Sequence, residues 1–414
     1  MIIISGAGIA GLALALSCHK AGLPFKIFER APEILPLGVG INVQPHAVRE
    51  LYDMGLAAEL DRIGVRSREL VYFSKLGNRI WAEPRGREAG YDWPQYSLHR
   101  GELQMLLYRA LLATGNTVAL GAEIFDVTED GAETITAHVR TPDGETRVSG
   151  NVVIAADGIH SSLRGKIVPD EGDPVWGGAV LWRGTTMGPQ FLGGGTVAYF
   201  GHQDQKFVTY PITPPDAAGN VLINWIAELR FDPKATTHRR ESYNRIARLD
   251  DFLPRFEDWT FPWLDIPALI RAAPTCYEYP MVDRDPLESW TLGRMTLLGD
   301  AAHPMYPIGS NGASQAILDA RVLVREFLTH GIGPKALATY EAERRPATNK
   351  LVLANRGNGP DQVMQIVEER CGGAFDNIED VLSLAELQGI ADRYKVTAGM
   401  DVASLNAREP TIPS

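Results

Sequence analysis

The chain opens on an unbroken apolar run at positions 1–5, rich in isoleucine, which predicts a strand buried on both faces of a parallel sheet. Glycines at 6, 8 and 11 follow, then a helical stretch over 12–20 stopped by Ala21-Gly22, and a second strand over 24–28 ending at Glu29-Arg30. Together these make a βαβ unit. Pro45 opens a further helix that Gly55 closes, the N-terminal proline and C-terminal glycine expected of helices. Leu103, Leu106, Leu107, Ala110 and Leu111 repeat at helical spacing and predict an amphipathic helix starting near Arg100. From about residue 172 the texture changes. Alternating, aromatic-rich runs at 179–183, 196–200, 206–210 and 221–229, separated by Gly/Pro turns, predict an antiparallel sheet, with a helix over 239–252 between its segments. After Trp290 the α/β pattern returns with a strand at 295–298, and helices dominate to about residue 393.

The expected fold is α/β: a Rossmann-like nucleotide-binding domain interrupted by an antiparallel sheet domain and followed by C-terminal helices. Its parts are 1–171, with a short excursion into the second domain near 72–96, then 172–284, a completing segment 285–350, and a helical region 351–414. The 414 residues carry a net charge of −11, which argues against a general nucleic-acid binder, because phosphate affinity rests on Lys/Arg clusters. Cys18, Cys276 and Cys371 are far apart and odd in number, so they suggest thiols of a reduced cytoplasmic protein rather than a disulfide framework or a metal site. The longest early apolar stretch, 11–18, is too short to span a bilayer, and no basic region precedes the first run as in a signal peptide.

Three motifs converge on one dinucleotide. In Gly6-x-Gly8-x-x-Gly11, Gly6 makes the tight turn, Gly8 lets the backbone approach a pyrophosphate, and Gly11, after Ala10, lets helix pack on strand. Glu29 ends the second strand, where it can accept hydrogen bonds from ribose hydroxyls. A second apolar strand ends in Ala156-Asp157-Gly158 and a third in Gly299-Asp300-Ala301-Ala302-His303-Pro304. Asp300 is placed to accept from polyol hydroxyls. Past it, Pro307, Gly309, Asn311, Gly312 and Ala313 lead into a helix over 315–326 whose free N–H groups suit an anion.

In their order and spacing these motifs resemble the single-component (class A) flavoprotein aromatic hydroxylases, the para-hydroxybenzoate hydroxylase-like group. The stretch from Met305 to Asp319 is most similar to the branch holding the phenazine carboxylate monooxygenases. The resemblance implies noncovalent FAD, NAD(P)H as reductant without a second nucleotide-binding fold, and O2 adding at the flavin C4a position to give a hydroperoxide that attacks an aromatic ring. It further implies that Arg100, with Gln104 one turn on, holds the cofactor, that Arg30 follows Glu29 at the same edge, and that Gly40 belongs to a flavin-contacting loop. Arg100 supports this independently: a cation in the first turn of a helix opposes the helix dipole. The glycine-rich segments around Gly40 and Gly309 would let the flavin ring swing between a reduction and a reaction position.

No nucleophile, metal or paired-carboxylate motif is evident, as expected if the cofactor carries the chemistry. Candidate substrate contacts are Trp182, Arg183, Tyr199, Tyr210, Trp225 and Tyr306, with Tyr210 and Pro307 the candidates nearest the chemistry; the ordinary role of such aromatics is core packing. The expected substrate is a small phenolic or N-heteroaromatic compound, carboxylated if Arg183 pairs with an acid. Two other readings stay open at this point: a flavin-dependent halogenase, whose WxWxIP signature Trp259, Trp263, Ile266 and Pro267 do not reproduce, and a noncatalytic flavoprotein that sequesters aromatic ligands.

Overall fold

A computed structural model describes residues 1–131, 133–232, 245–357 and 359–413. One sheet of six strands runs in the order Thr291–Leu292, Met295–Leu297, Val152–Ala155, Ile2–Ser5, Phe25–Glu29, Val118–Leu120. All its pairings but the first are parallel. The strands Ile2–Ser5 and Val152–Ala155 are buried at every residue, which is why their sequences are apolar without alternation. The helix Ile9–Lys20 covers this sheet and packs on the helix Gly312–His330. The register decides the site. Ser5 pairs with both Ala155 and Phe28, and Ala155 with Leu297, so the three motif-bearing strands end at one level.

The second large sheet has eight strands: Arg245–Ile246, Cys276–Asp283, Val175–Pro189, Asn220–Arg230, Gln205–Pro211, Thr196–Gly201, Glu69–Phe73 and Arg79–Pro84. The last two come from the N-terminal part of the chain, whereas Gln95–His99 joins a small three-stranded sheet with Gly40–Val43 and Gly64–Ser67. The two faces of the large sheet bury different clusters. One holds Trp182, Phe200, Phe207, Trp225, Phe252 and Phe256; the other holds Tyr72, Leu181, Tyr199, Tyr210, Ile226 and Tyr306. This is the two-residue period of a strand sorting neighbours to opposite sides.

The helix expected over 239–252 is corrected where it can be seen. Its first residues lie outside the described ones. Beyond them the chain forms the edge strand Arg245–Ile246 and a short 3-10 turn, Leu249–Asp251. Arg245 pairs with Glu278 of the neighbouring strand, in register and at 3.2 Å, so cross-strand pairing outweighs local helix preference. The C-terminal helices Pro334–Arg356, Gln362–Cys371 and Leu384–Thr397 close the molecule, the last behind a Ser383/Glu386 capping box. Among the described residues no helix is long and apolar enough to cross a membrane.

Candidate active site

At the carboxyl edge of the parallel sheet the chain turns sharply at Gly6 (φ +99°), where a Cβ would lie 2.4 Å from the Ala156 carbonyl oxygen. Gly11 is packed harder still: its Cβ would stand 1.9 Å from the Gly6 carbonyl oxygen. Gly8 is different, with an ordinary φ of −73° and nothing within 4 Å of the Cβ direction. Gly6 and Gly11 are therefore glycine for the fold, and Gly8 for what approaches it. Glu29 accepts from the Ala7 and Ala31 N–H groups at 2.8 and 2.9 Å, and Gln104 Nε2 donates to the Ala7 carbonyl at 2.9 Å. The two side chains fix the turn from both sides. Glu29 is only half-buried, so its carboxylate retains lone pairs for hydroxyl donors. Arg30 is exposed beside it and acts electrostatically on Asp157.

Asp157 and Asp300 emerge from the two neighbouring strands. One oxygen of Asp157 is buried with no hydrogen-bond partner, and burial raises its pKa to about 6, against the pull of Ser161. Asp300 opens onto the cleft, yet the protein around it desolvates the carboxyl and raises its pKa, while His303 and Arg100 pull it back. Arg100 thus reaches the same cleft. Its stem packs on Gly38, and its own N–H donates to the Val39 carbonyl at 2.9 Å.

Behind Asp300 lies a buried network. Asp319 accepts from the Gly299 N–H at 3.1 Å and from Arg344 Nε at 2.7 Å, and it meets His303 Nε2 at 2.5 Å. Burial pushes the Asp319 carboxyl up, but His303 and Arg344 outweigh it and hold the group near 2. Arg164, also buried, donates to the Ala301 and Ala302 carbonyls, each at 2.9 Å. The Gly299–His303 turn is therefore gripped from both flanks. His303 belongs to this support and does not face an open cavity.

Pro307 begins the next turn, in which Gly309 (φ +69°) and Ser310 (φ +53°) are both left-handed. At Ser310, a non-glycine, that costs on the order of 1 kcal/mol, and such strain gathers at ligand-binding turns. Asn311 Nδ2 donates to the Gly309 carbonyl (2.9 Å) and to Tyr394 Oη (3.0 Å). The Tyr394 ring also blocks any Cβ on Gly309, at 1.8 Å from its hydroxyl. The helix Gly312–His330 then starts with no side-chain cap and no acid in its first turn, as does Ile9–Lys20. Gly312 and Ala313 present backbone N–H groups there, and each helix start favours an anion.

The sequence candidates on the large sheet separate. Arg183, Tyr199 and Tyr210 lie on the sheet face that holds Gly40, and Tyr306, from the turn after His303, joins the cluster buried there. Trp182 and Trp225 do not: Trp182 stacks on Phe252 at 4.8 Å, and Trp225 is fully buried with its Nε1 donating to Thr186 Oγ1 at 3.1 Å. They are core residues because the strand period sends them to the far face. Arg183 donates to the Gly40 carbonyl at 2.7 Å, and Asn224 Oδ1 accepts from the Gly40 N–H at 2.7 Å. The sheet therefore holds Gly40 by both its backbone polar groups. Burial pushes the Tyr210 phenol up to about 12, Arg183 beside it notwithstanding, so it is protonated at neutral pH and unsuited to act as a general base. Tyr306 is likewise pushed up to about 12 by burial.

A small cavity lies between this sheet face and the Gly309–Ser310 turn; of its lining, Tyr199 and Gly309 were legible in the sequence and the others below were missed. Its walls include Tyr72, Arg85, Gln95, Tyr199, Asp361 and Tyr394. Tyr199 has Ser310 beside its hydroxyl, while Asp361 is bonded to Lys206 at 2.9 Å. The one available signal was alternation: Tyr72 falls on the even positions of a short apolar strand.

A parallel sheet with a glycine turn, two uncapped helix starts and acidic residues at three strand ends, faced by an inserted sheet, defines an FAD-binding oxidoreductase. The residues fit FAD on their own evidence: open space at Gly8, an unpartnered buried oxygen on Asp157, and uncapped helix N-termini at both ends of the cleft. A family model described as FAD binding domain matches residues 1–239 and 275–355. The phenazine 1,6-dicarboxylic acid hydroxylase of Lysobacter antibioticus is 43% identical, over 86% of this chain and 89% of that protein. A 3-amino-4-hydroxybenzoate 2-monooxygenase of Streptomyces platensis is 31% identical, over 92% of this chain and 94% of its own length. A salicylate hydroxylase substrate complex shares the fold with a TM-score of 0.74 at 23% identity, covering 99% of this chain and 98% of that one. The chain belongs to the FAD binding domain family, among its flavoprotein aromatic hydroxylases.

Proposed function

We propose that this FAD-dependent monooxygenase hydroxylates a planar N-heteroaromatic or phenolic acid, with NAD(P)H and O2 as co-substrates. The observation that carries the reading is the cleft that fits FAD, open at Gly8 and with an unpartnered buried oxygen on Asp157, faced by the tyrosine-bearing side of the inserted sheet. The similarity to a phenazine dicarboxylic acid hydroxylase supports a fused N-heteroaromatic acid. When bound, FAD supplies two-electron exchange with the nicotinamide and activation of O2.

The protein's own contribution is positional. Gly8 and the starts of Ile9–Lys20 and Gly312–His330 would hold the phosphates and the anionic edge of the ring; Glu29 and Asp300 would hold hydroxyls. Tyr199 and Ser310 tie the sheet to the turn and would keep the turn in register with the sheet face when the cofactor is bound. Apolar Leu70, Val197 and Ile226 keep water from the reacting face. Tyr210 would donate or accept a hydrogen bond without changing its protonation.

The test is reductant oxidation by the FAD-loaded enzyme against a panel of aromatic acids and heteroaromatics, with products weighed by mass spectrometry. A product heavier by one oxygen is expected. A halogenated product, or tight ligand binding with no oxygenated product, would refute the assignment.

A further inference from the structure

The Pro307–Asn311 turn, with its left-handed Gly309 and Ser310, leads into the uncapped start of Gly312–His330 and is held by a side chain from the far end of the chain. Tyr394, on the helix Leu384–Thr397, is 8% exposed and brings its hydroxyl against Gly309, where a Cβ would stand only 1.8 Å from that oxygen. The hydroxyl accepts from Asn311 Nδ2 at 3.0 Å, and its single proton is shared between the Ile308 carbonyl at 3.2 Å and Asn355 Oδ1 at 3.0 Å. The two asparagines extend the grip. Asn311 Nδ2 also donates to the Gly309 carbonyl at 2.9 Å, and Asn355 Nδ2 donates to the Tyr306 carbonyl at 3.2 Å. Three carbonyls in and beside the turn are thus oriented by one hydroxyl and its neighbours. A trans peptide points its N–H opposite its carbonyl, so holding the Ile308 carbonyl toward Tyr394 sends the Gly309 N–H away from it. On its other flank the turn meets the sheet through Ser310 and Tyr199.

We propose that Tyr394 is a positioning residue for the cofactor: its hydroxyl fixes the Pro307–Asn311 turn, so that the backbone N–H groups there and at the start of Gly312–His330 meet the anionic edge of the flavin ring in one arrangement. The inference rests on FAD binding in this cleft and not on the choice of aromatic substrate. A reduced flavin carries more negative charge than an oxidised one, so N–H dipoles fixed beside it stabilise the reduced form more. Dipoles that must first reorient give back part of that stabilisation. The left-handed Ser310 gives the turn a reason to relax once the hydroxyl is gone. The C-terminal helix is thereby a determinant of the cofactor's reduction potential, acting through the turn rather than by contact.

The test is the midpoint potential of the FAD-loaded protein, followed by absorbance against a reference dye, in the unaltered enzyme, Tyr394→Phe and Leu387→Ala. Tyr394→Phe keeps the ring and its packing and deletes only the hydroxyl. It is expected to weaken binding of reduced FAD relative to oxidised FAD by about tenfold, the low end for a hydrogen bond to a charged group. For a two-electron couple that is a potential about 30 mV more negative. Leu387→Ala empties a fully buried position of the same helix and is the structural control: it lowers the denaturation midpoint and leaves the potential unchanged. Asn355→Leu, which removes one partner of the hydroxyl and keeps its bond to Ile308, shifts the potential the same way by less. An unchanged potential in Tyr394→Phe, or an equal shift in Leu387→Ala, overturns the proposal and leaves Tyr394 a core residue. Neither result touches the hydroxylase reading, which product analysis decides separately; an unaltered protein that takes up no FAD overturns both.

Discussion

Replacing Asp319 by asparagine tests the support beneath the cofactor turn. Asp319 is fully buried and receives three groups: the Gly299 N–H, Arg344 Nε and His303 Nε2. Asparagine keeps the shape and can still accept from Gly299, but it cannot neutralise Arg344, which is 8% exposed. Removing one partner from a buried ion pair costs about 3–5 kcal/mol, because the remaining charge has no compensation. The isosteric change keeps one backbone hydrogen bond and belongs at the low end, about 3 kcal/mol. Equilibrium denaturation of the apoprotein measures it, and fluorescence titration measures FAD affinity, which falls because Gly299 and His303 lose their anchor. Adding Arg344→Met costs less than the separate changes summed, since the orphaned cation is gone. A loss below about 1 kcal/mol with unchanged FAD affinity would refute the argument. The pH sense follows from the carboxyl, which is held near 2 against an ordinary 3.8. Its contribution is complete above that ordinary value and disappears as pH falls through about 2.

Asp157 behaves oppositely. With its pKa raised to about 6, the folded apoprotein is penalised above that pH and gains stability as pH falls from 6 toward 4, a trend that Asp157→Asn abolishes in denaturation midpoints. Gly8→Ala leaves apoprotein stability within about 0.5 kcal/mol but weakens FAD binding in a titration, because its Cβ enters only the approach space. Gly11→Ala, whose Cβ would stand 1.9 Å from the Gly6 carbonyl oxygen, damages both stability and FAD binding. Tyr199→Phe shifts KM or kcat with little loss of stability, whereas Trp182→Ala costs about 3–5 kcal/mol of stability from the core, to be read by denaturation and steady-state kinetics on the same preparations. Gly40→Ala, whose Cβ would stand 2.6 Å from the Asn224 side chain, changes the substrate dependence of flavin reduction in stopped flow. Unchanged dependence would dissociate the sheet's grip on Gly40 from any movement of the ring.

The nucleotide cleft was legible in the sequence because its parts are local. A buried strand, a glycine turn and a helix follow one another within the first twenty residues, and sterics at Gly6 and Gly11 allow no other residue. Acids at the ends of apolar runs read clearly too, since a parallel strand must finish at the edge where ligands bind. The expected helix from 239 failed in its described part for a nonlocal reason, the pairing of Arg245 with Glu278 across an edge. Trp182 and Trp225 show a different limit. The aromatic character of a strand is visible in one dimension, but which of its two faces meets the cofactor depends on the sheet's orientation, which no single strand records.

By itself, then, the sequence determined that this chain binds a dinucleotide, because short-range backbone geometry admits few solutions. Tertiary structure alone decided which side chains line the cavity beside the Gly309–Ser310 turn. Tyr72 and Arg85 come from the early hairpin, Tyr199 from the inserted sheet, and Asp361 and Tyr394 from the C-terminal helical region. Their polar atoms share one cavity only because packing brings these distant segments together. The same packing sets Arg183 to hold the Gly40 carbonyl.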